Sequence, residues 1–137
     1  GSEGFYVDLT TISTGQRYKQ TVINKIRGRL KDWLQNPSFG DIRNQPLDLA
    51  IVARMSPKRF KGQDVDNLAK TVLDALKRDE DDPRFLFHDD SQIVRLLVWK
   101  IKRQEEAGCN TDNLQISFRV HDSKRQMVLI QGHFESP

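Results

Sequence analysis

The chain has 137 residues, 22 Lys and Arg against 19 Asp and Glu for a net charge of +3, and 36% hydrophobic residues. This length suits one domain around one core. A single cysteine, Cys109, excludes an internal disulfide and a cysteine-based zinc site, and no apolar run approaches the roughly 20 residues of a membrane span. The expectation is one cytoplasmic domain over residues 1–137, with Gly1-Ser2 read as a cloning scar.

In chain order, 5–12 alternates apolar and polar residues as a short strand. Residues 15–35 form the clearest helix: Tyr18, Val22, Ile26, Leu30 and Leu34 recur every fourth residue, with Ile23 and Trp33 widening the stripe. Its opposite face carries Arg17, Lys19, Lys25, Arg27, Arg29 and Lys31, and Asn36-Pro37 ends it. Residues 46–55 read as a buried strand and 56–63 as a basic, polar loop. A second helix is predicted over 65–78, with Leu68, Val72, Leu73 and Leu76 inward and Asp64 or Asp66 as its cap. An acidic connection over 79–87 leads to a strand over 93–101, extending toward Gln104, and a turn-rich loop over 105–113 leads to another over 114–120. Met127 to Ile130 begins a last short strand. The pattern predicts an α+β (mixed α/β) domain with helices packed on one sheet, and leaves strand order open.

Charge is distributed unevenly. Residues 15–63 hold eleven Lys and Arg against three Asp, whereas 64–90 hold four against nine acidic residues. A basic surface beside an acidic pocket suits an enzyme that grips a polyanion and holds cations; two solvated faces of opposite sign explain it equally well.

The acidic stretch contains GQDVDNLAKTVLDALKR, residues 62–78, and FHDDSQIV, residues 87–94. If the strand starting near Ser91 lies beside the end of the strand finishing near Met55, Asp89 and Asp90 come to the start of the helix, next to Asp64 and Asp66. Carboxylates about 4 Å apart at an effective dielectric near 20 repel by about 4 kcal/mol, which a divalent cation relieves. All-oxygen ligands favour Mg²⁺, with Mn²⁺ as a substitute, over zinc. The competing explanation for Asp64 and Asp66 is helix capping, worth about 1 kcal/mol. Asp66, Lys70 and Asp74 line one helical stripe, either as salt bridges or with Lys70 turned toward a phosphoryl group. His88 is read as a surface residue, and Phe60 first as core packing and second as a group stacking on DNA.

The residues DVDNLAKTVLDAL followed by HDDSQIV are similar to the signature of the RusA-type Holliday-junction resolvases, DxDNxxKxxxDxL and then DDxQ[IV]. The resemblance is strong over residues 63–94. It implies a RusA-like fold and a homodimeric, Mg²⁺-dependent endonuclease that cuts four-way DNA junctions by paired phosphodiester hydrolysis in recombination and repair, and a bacterial or phage origin. Position by position, Asp64, Asp66 and Asp90 resemble the family's catalytic, metal-binding carboxylates, Lys70 its catalytic lysine, and Asp89 a neighbour in the metal set. Asn67, Asp74 and Gln92 match the pattern and are read as structural. Arg17, Lys19, Arg27, Arg29, Lys31, Lys58, Arg59 and Lys61 would hold backbone phosphates. The rivals are a non-catalytic nucleic-acid-binding protein and a metal-dependent nuclease acting on flaps, RNA or linear duplex.

Overall fold

A computed structural model describes residues 3–12, 17–35, 42–104 and 111–134. Its main sheet has four strands: β1 (Glu3–Asp8), β2 (Leu47–Met55), β3 (Ile93–Lys102) and β4 (Asn113–Val120), in the order β1-β4-β2-β3. β4 runs antiparallel to β1 and β2, whereas β2 and β3 are parallel. Parallel neighbours need a crossover. Here the crossover consists of α2 (Pro57–Gly62) and α3 (Val65–Leu76), and α1 (Tyr18–Leu34) precedes β2.

β2 is an interior strand, and it is buried on both faces except at Arg54. Leu47, Leu49, Ile51, Ala53 and Met55 join the core with Val22, Ile26 and Leu30 of α1 and Leu68, Val72 and Leu76 of α3. Each fully buried aliphatic side chain contributes about 1.5–3 kcal/mol. The alternate residues of β2 meet a polar second face. There Asp48, fully buried, accepts from Arg119 Nε at 2.9 Å and lies 2.9 Å from His121 Nδ1. A two-stranded hairpin, β5 (Leu129–Ile130) and β6 (His133–Phe134), leans on this face, with the Ser117 hydroxyl donating to Gly132 O. Gln131 and Gly132 both have positive φ, 52° and 83°, as a two-residue hairpin turn matching strand twist requires.

The α+β expectation with helices on one sheet holds, and three local expectations change. Residues 57–62, expected as loop, form α2, because the Ser56 hydroxyl accepts from Arg59 N at 3.3 Å and Pro57 occupies the first helical turn. The final strand has a partner, β6, that the sequence pattern did not show. The third concerns β2 and β3: Leu47 lies beside Ile93 and Met55 beside Lys102. The start of β3 is therefore next to the start of β2, at the far end from the entrance to α3.

Candidate functional site

Asp64 occupies the N-cap position of α3, with extended backbone at φ −81° and ψ 142°, yet its side chain makes no capping hydrogen bond. Asp66 lies in the first helical turn. Both are exposed, and neither carboxylate has an ion-pair or hydrogen-bond partner among the described residues. Capping therefore does not account for Asp64. The segment leading into Asp64 is held from below by Lys100 of β3, whose ammonium donates to Phe60 O and Gln63 O, both at 2.8 Å, and sits 4.4 Å from the Phe60 ring centroid. Phe60 thus packs against the core and this lysine.

Lys70 is exposed, one turn beyond Asp66, and forms no ion pair among the described residues. Asp74 does not join it in a helical salt bridge; Asp74 pairs with Lys19 of α1 at 2.9 Å.

The second acidic segment is built differently. Asp89 caps a short 3-10 turn, Asp90–Gln92, accepting from Ser91 N at 3.2 Å and from the Ser91 hydroxyl. The Ser91 hydroxyl and amide beside Asp89 hold its carboxyl below the usual carboxylate range. Gln92 closes the turn: its Oε1 accepts from His88 N and Asp89 N, and its Nε2 donates to Arg43 O and Gln45 O. Gln92 is a structural residue, as its place in the motif suggested. His88 is exposed, with its ring against Phe85. The turn presents Asp90, which Lys77 holds at 3.4 Å.

Lys77 follows the last residue of α3. At about 1.5 Å per residue, the run from Asp64 to Lys77 spans about 20 Å. The strand ladder gives the same scale: Asp90 precedes Ile93 at the start of β3, while Gln63 is tied to Lys100 near its end. The expected meeting of Asp64 and Asp66 with Asp89 and Asp90 inside one protomer is thus corrected, since it required antiparallel β2 and β3. Among the described residues no group of three or more Asp, Glu, His or Cys can share a metal ion. The carboxylates have the hard-oxygen chemistry that magnesium prefers, and among the described residues of this chain they stand in two separate groups.

Four of the expected DNA-contacting cations, Lys19, Arg27, Arg29 and Arg59, have partners within the chain. Arg27 is buried, donates to Ala75 O and Asp74 O, and approaches Asp82 at 3.5 Å and Asp79 at 3.8 Å. Arg59 pairs with Asp112 at 2.9 Å and donates to Ile12 O at 2.6 Å. Asp112, which the sequence reading passed over, also accepts from Arg103 Nε at 2.7 Å and Ser56 N at 2.9 Å. Arg29 reaches Tyr6 O. Arg17, Lys31, Lys58 and Lys61 remain exposed without an ion pair among the described residues. Lys58 lines an open cleft of about 620 Å³ with Thr10, Thr11 and Ser56, which ends at Gln63 beside Asp64.

The acidic connection before Phe87 is also structural. Asp82 receives a two-pronged contact from Arg84, 3.0 Å at Nε and 2.8 Å at Nη2, which lowers its pKa to about 2. Leu86 N donates to Leu76 O and Arg78 N to Phe87 O, so the connection folds back against the end of α3.

No helix among the described residues is long and apolar enough to cross a membrane. No individual curated protein is matched by the sequence. The family model described as Endodeoxyribonuclease RusA matches residues 10–110, a span containing β2, the crossover and β3 with all five aspartates of the motif. With that match over most of its length, the chain belongs to the RusA family of endodeoxyribonucleases, enzymes that resolve Holliday junctions.

Proposed function

We propose that the protein is a magnesium-dependent resolvase of four-way DNA junctions in recombination and repair, working as a homodimer in which each acidic centre is shared between two copies. The observation that carries this reading is the capless N-cap: Asp64 and Asp66 stand exposed at the start of α3 with no side-chain partner among the described residues, and Asp90 stands about 20 Å away at its other end. Exposed carboxylates with no partner suit an ion supplied from outside. Among the described residues no third acidic side chain of the same copy joins them, and in this reading a second copy supplies it.

In this reading Asp64 and Asp66 of one copy and Asp90 of the other are the magnesium ligands, with Mn²⁺ as a substitute. Magnesium bound there supplies a Lewis acid that activates water and offsets charge on the scissile phosphate. Lys70 adds positive charge toward the phosphoryl oxygens as they become more anionic. Asp89 acts through the turn, fixing where Asp90 points. Lys58 and Lys61 on α2, with Arg17 and Lys31 on α1, hold backbone phosphates without reading bases. Two such centres related by a two-fold axis match the two symmetric cuts that resolution needs.

The test is cleavage of a synthetic four-way junction, a flap and a linear duplex in Mg²⁺. The reading predicts preferred, paired cutting of the junction, lost in Asp64→Asn and Asp90→Asn while junction binding persists. Equal cutting of duplex, or full cutting by Asp64→Asn, contradicts it.

A further inference from the structure

The segment that returns the chain from α3 toward β3 divides its residues between packing and surface. Leu86 and Phe87 are fully buried and tied to the end of α3, with Leu86 N donating to Leu76 O at 2.7 Å and Arg78 N to Phe87 O at 2.8 Å. The aromatic rings on either side of them stay outside the core: Phe85 is half-buried and His88 exposed, their ring centroids 5.0 Å apart at 60°. The Arg43 guanidinium lies over the Phe85 ring, 4.2 Å from its centroid, and forms no ion pair among the described residues. Gln92 locks this group together. Its Oε1 accepts from His88 N and its Nε2 donates to Arg43 O, both at 2.7 Å, so one side chain ties the ring and the cation to the turn that presents Asp90. Packing is already provided by Leu86 and Phe87, and the stack beside them leaves a flat ring and a planar cation open to solvent.

Resting on the reading of the chain as a junction-cleaving nuclease, we propose that Arg43, Phe85 and His88 form a stacking site for an unpaired base at the branch point of the DNA. Every base has a π-face, so an exposed ring backed by a second ring takes one whatever its identity. Arg43, spread over Phe85, offers planar donors to the phosphate of the same nucleotide. A continuous duplex keeps its bases paired and stacked and gives the site nothing to hold, whereas an open branch point does. The site also lies next to the chemistry. His88 precedes Asp90 by two residues, at most about 7 Å along the chain, so a captured base belongs to a nucleotide close to the phosphate that Asp90 serves. Lys77, 3.4 Å from Asp90, offsets the local negative charge that would repel DNA. Because Gln92 joins His88, Arg43 and the Asp90 turn, holding the base also fixes where the strand runs past that carboxylate. His88 is then a positioning residue that selects branched over continuous DNA.

The experiment measures binding of the full chain, in EDTA so that nothing is cut, to a synthetic four-way junction, a linear duplex and single-stranded oligothymidylate. His88→Ala should weaken junction and single-strand binding about tenfold, the scale of one lost base–aromatic stack, and leave duplex binding unchanged. His88→Trp should keep the parent affinity, whereas His88→Lys, a cation without a ring, should not. Abasic residues placed one at a time at the branch point should reproduce the same loss at one position in the parent chain, with no further loss in His88→Ala. Phe85→Ala and Arg43→Gln should weaken the same two substrates with unchanged far-ultraviolet circular dichroism. The exposed His88 carries the test by itself should Phe85→Ala fail to fold. A His88→Ala chain that binds the junction like the parent, a His88→Lys chain that also does, or an equal loss on duplex overturns the site; junction cleavage by the parent then leaves the resolvase reading standing. A parent that binds and cuts junction and duplex alike, while His88→Ala still loses oligothymidylate, keeps the stacking site and removes that reading.

Discussion

The two ends of α3 carry the two halves of the acidic motif and treat them in opposite ways. At the N-terminal end the carboxylates of Asp64 and Asp66 have no partner among the described residues, while the backbone entering them is clamped by Lys100. At the C-terminal end Asp90 is held by Lys77 on a turn that Asp89 and Gln92 lock with their own side chains. One end stands open on a fixed frame, and the other is held by the neighbouring ammonium of Lys77. A helix lies between them, so the motif reads along the sequence as one cluster and in space as two separate acidic groups.

Asp64→Asn and Asp90→Asn should each cut junction cleavage by about 10²–10³-fold or more, since several kcal/mol of transition-state charge stabilisation are lost; single-turnover cleavage measures this, with thermal stability changed little. Asp112→Ala attacks the frame beneath the open end. It takes the shared carboxylate away from the part-buried guanidiniums of Arg59 and Arg103, and denaturant unfolding should show a loss of about 3 kcal/mol. Asp82 tests the connection at the other end. Its pKa, about 2 when folded, lies below the unfolded value of 3.8, so its stabilisation is complete above about pH 4 and disappears as pH falls toward 2. Asp82→Asn should remove at most about 2 kcal/mol, less after solvent screening, and flatten stability over that window in acid titration. Ser56→Ala removes the cap of α2 and should cost about 1 kcal/mol by the same unfolding measurement. Lys77→Gln should change stability by less than about 1 kcal/mol, because the pair is half exposed. It should still lower the Mg²⁺ concentration needed for half-maximal cleavage, since the cation competing for Asp90 is gone.

Where information was local, the sequence was enough. The four-residue recurrence of Val22, Ile26 and Leu30 marks the buried stripe of α1, and Leu68, Val72 and Leu76 that of α3. Ser56-Pro57 was a readable helix start, hidden behind the basic character of the residues after it. The relative direction of β2 and β3 was not legible, because chain length allows the connection to return to either end of β2 and the parallel choice is set by packing of the whole crossover. The same holds for Arg27 and Arg59. Both look like surface cations in sequence, and only the folded chain brings Asp82 and Asp112 to neutralise them. Asp112 itself sits alone in a polar segment, where nothing distinguishes it from a solvated aspartate.

The central claim is that each acidic centre draws on two copies, and a mixed dimer tests it most directly. Asp64→Asn and Asp90→Asn chains carrying different tags, co-expressed and purified through both tags, contain one centre with both substitutions and one with neither. The account predicts that this heterodimer nicks a four-way junction at about half the parental rate per dimer, by single rather than paired cuts, while each parent homodimer is silent. A heterodimer as silent as its homodimers would place Asp64 and Asp90 in the same chain's centre and contradict the account.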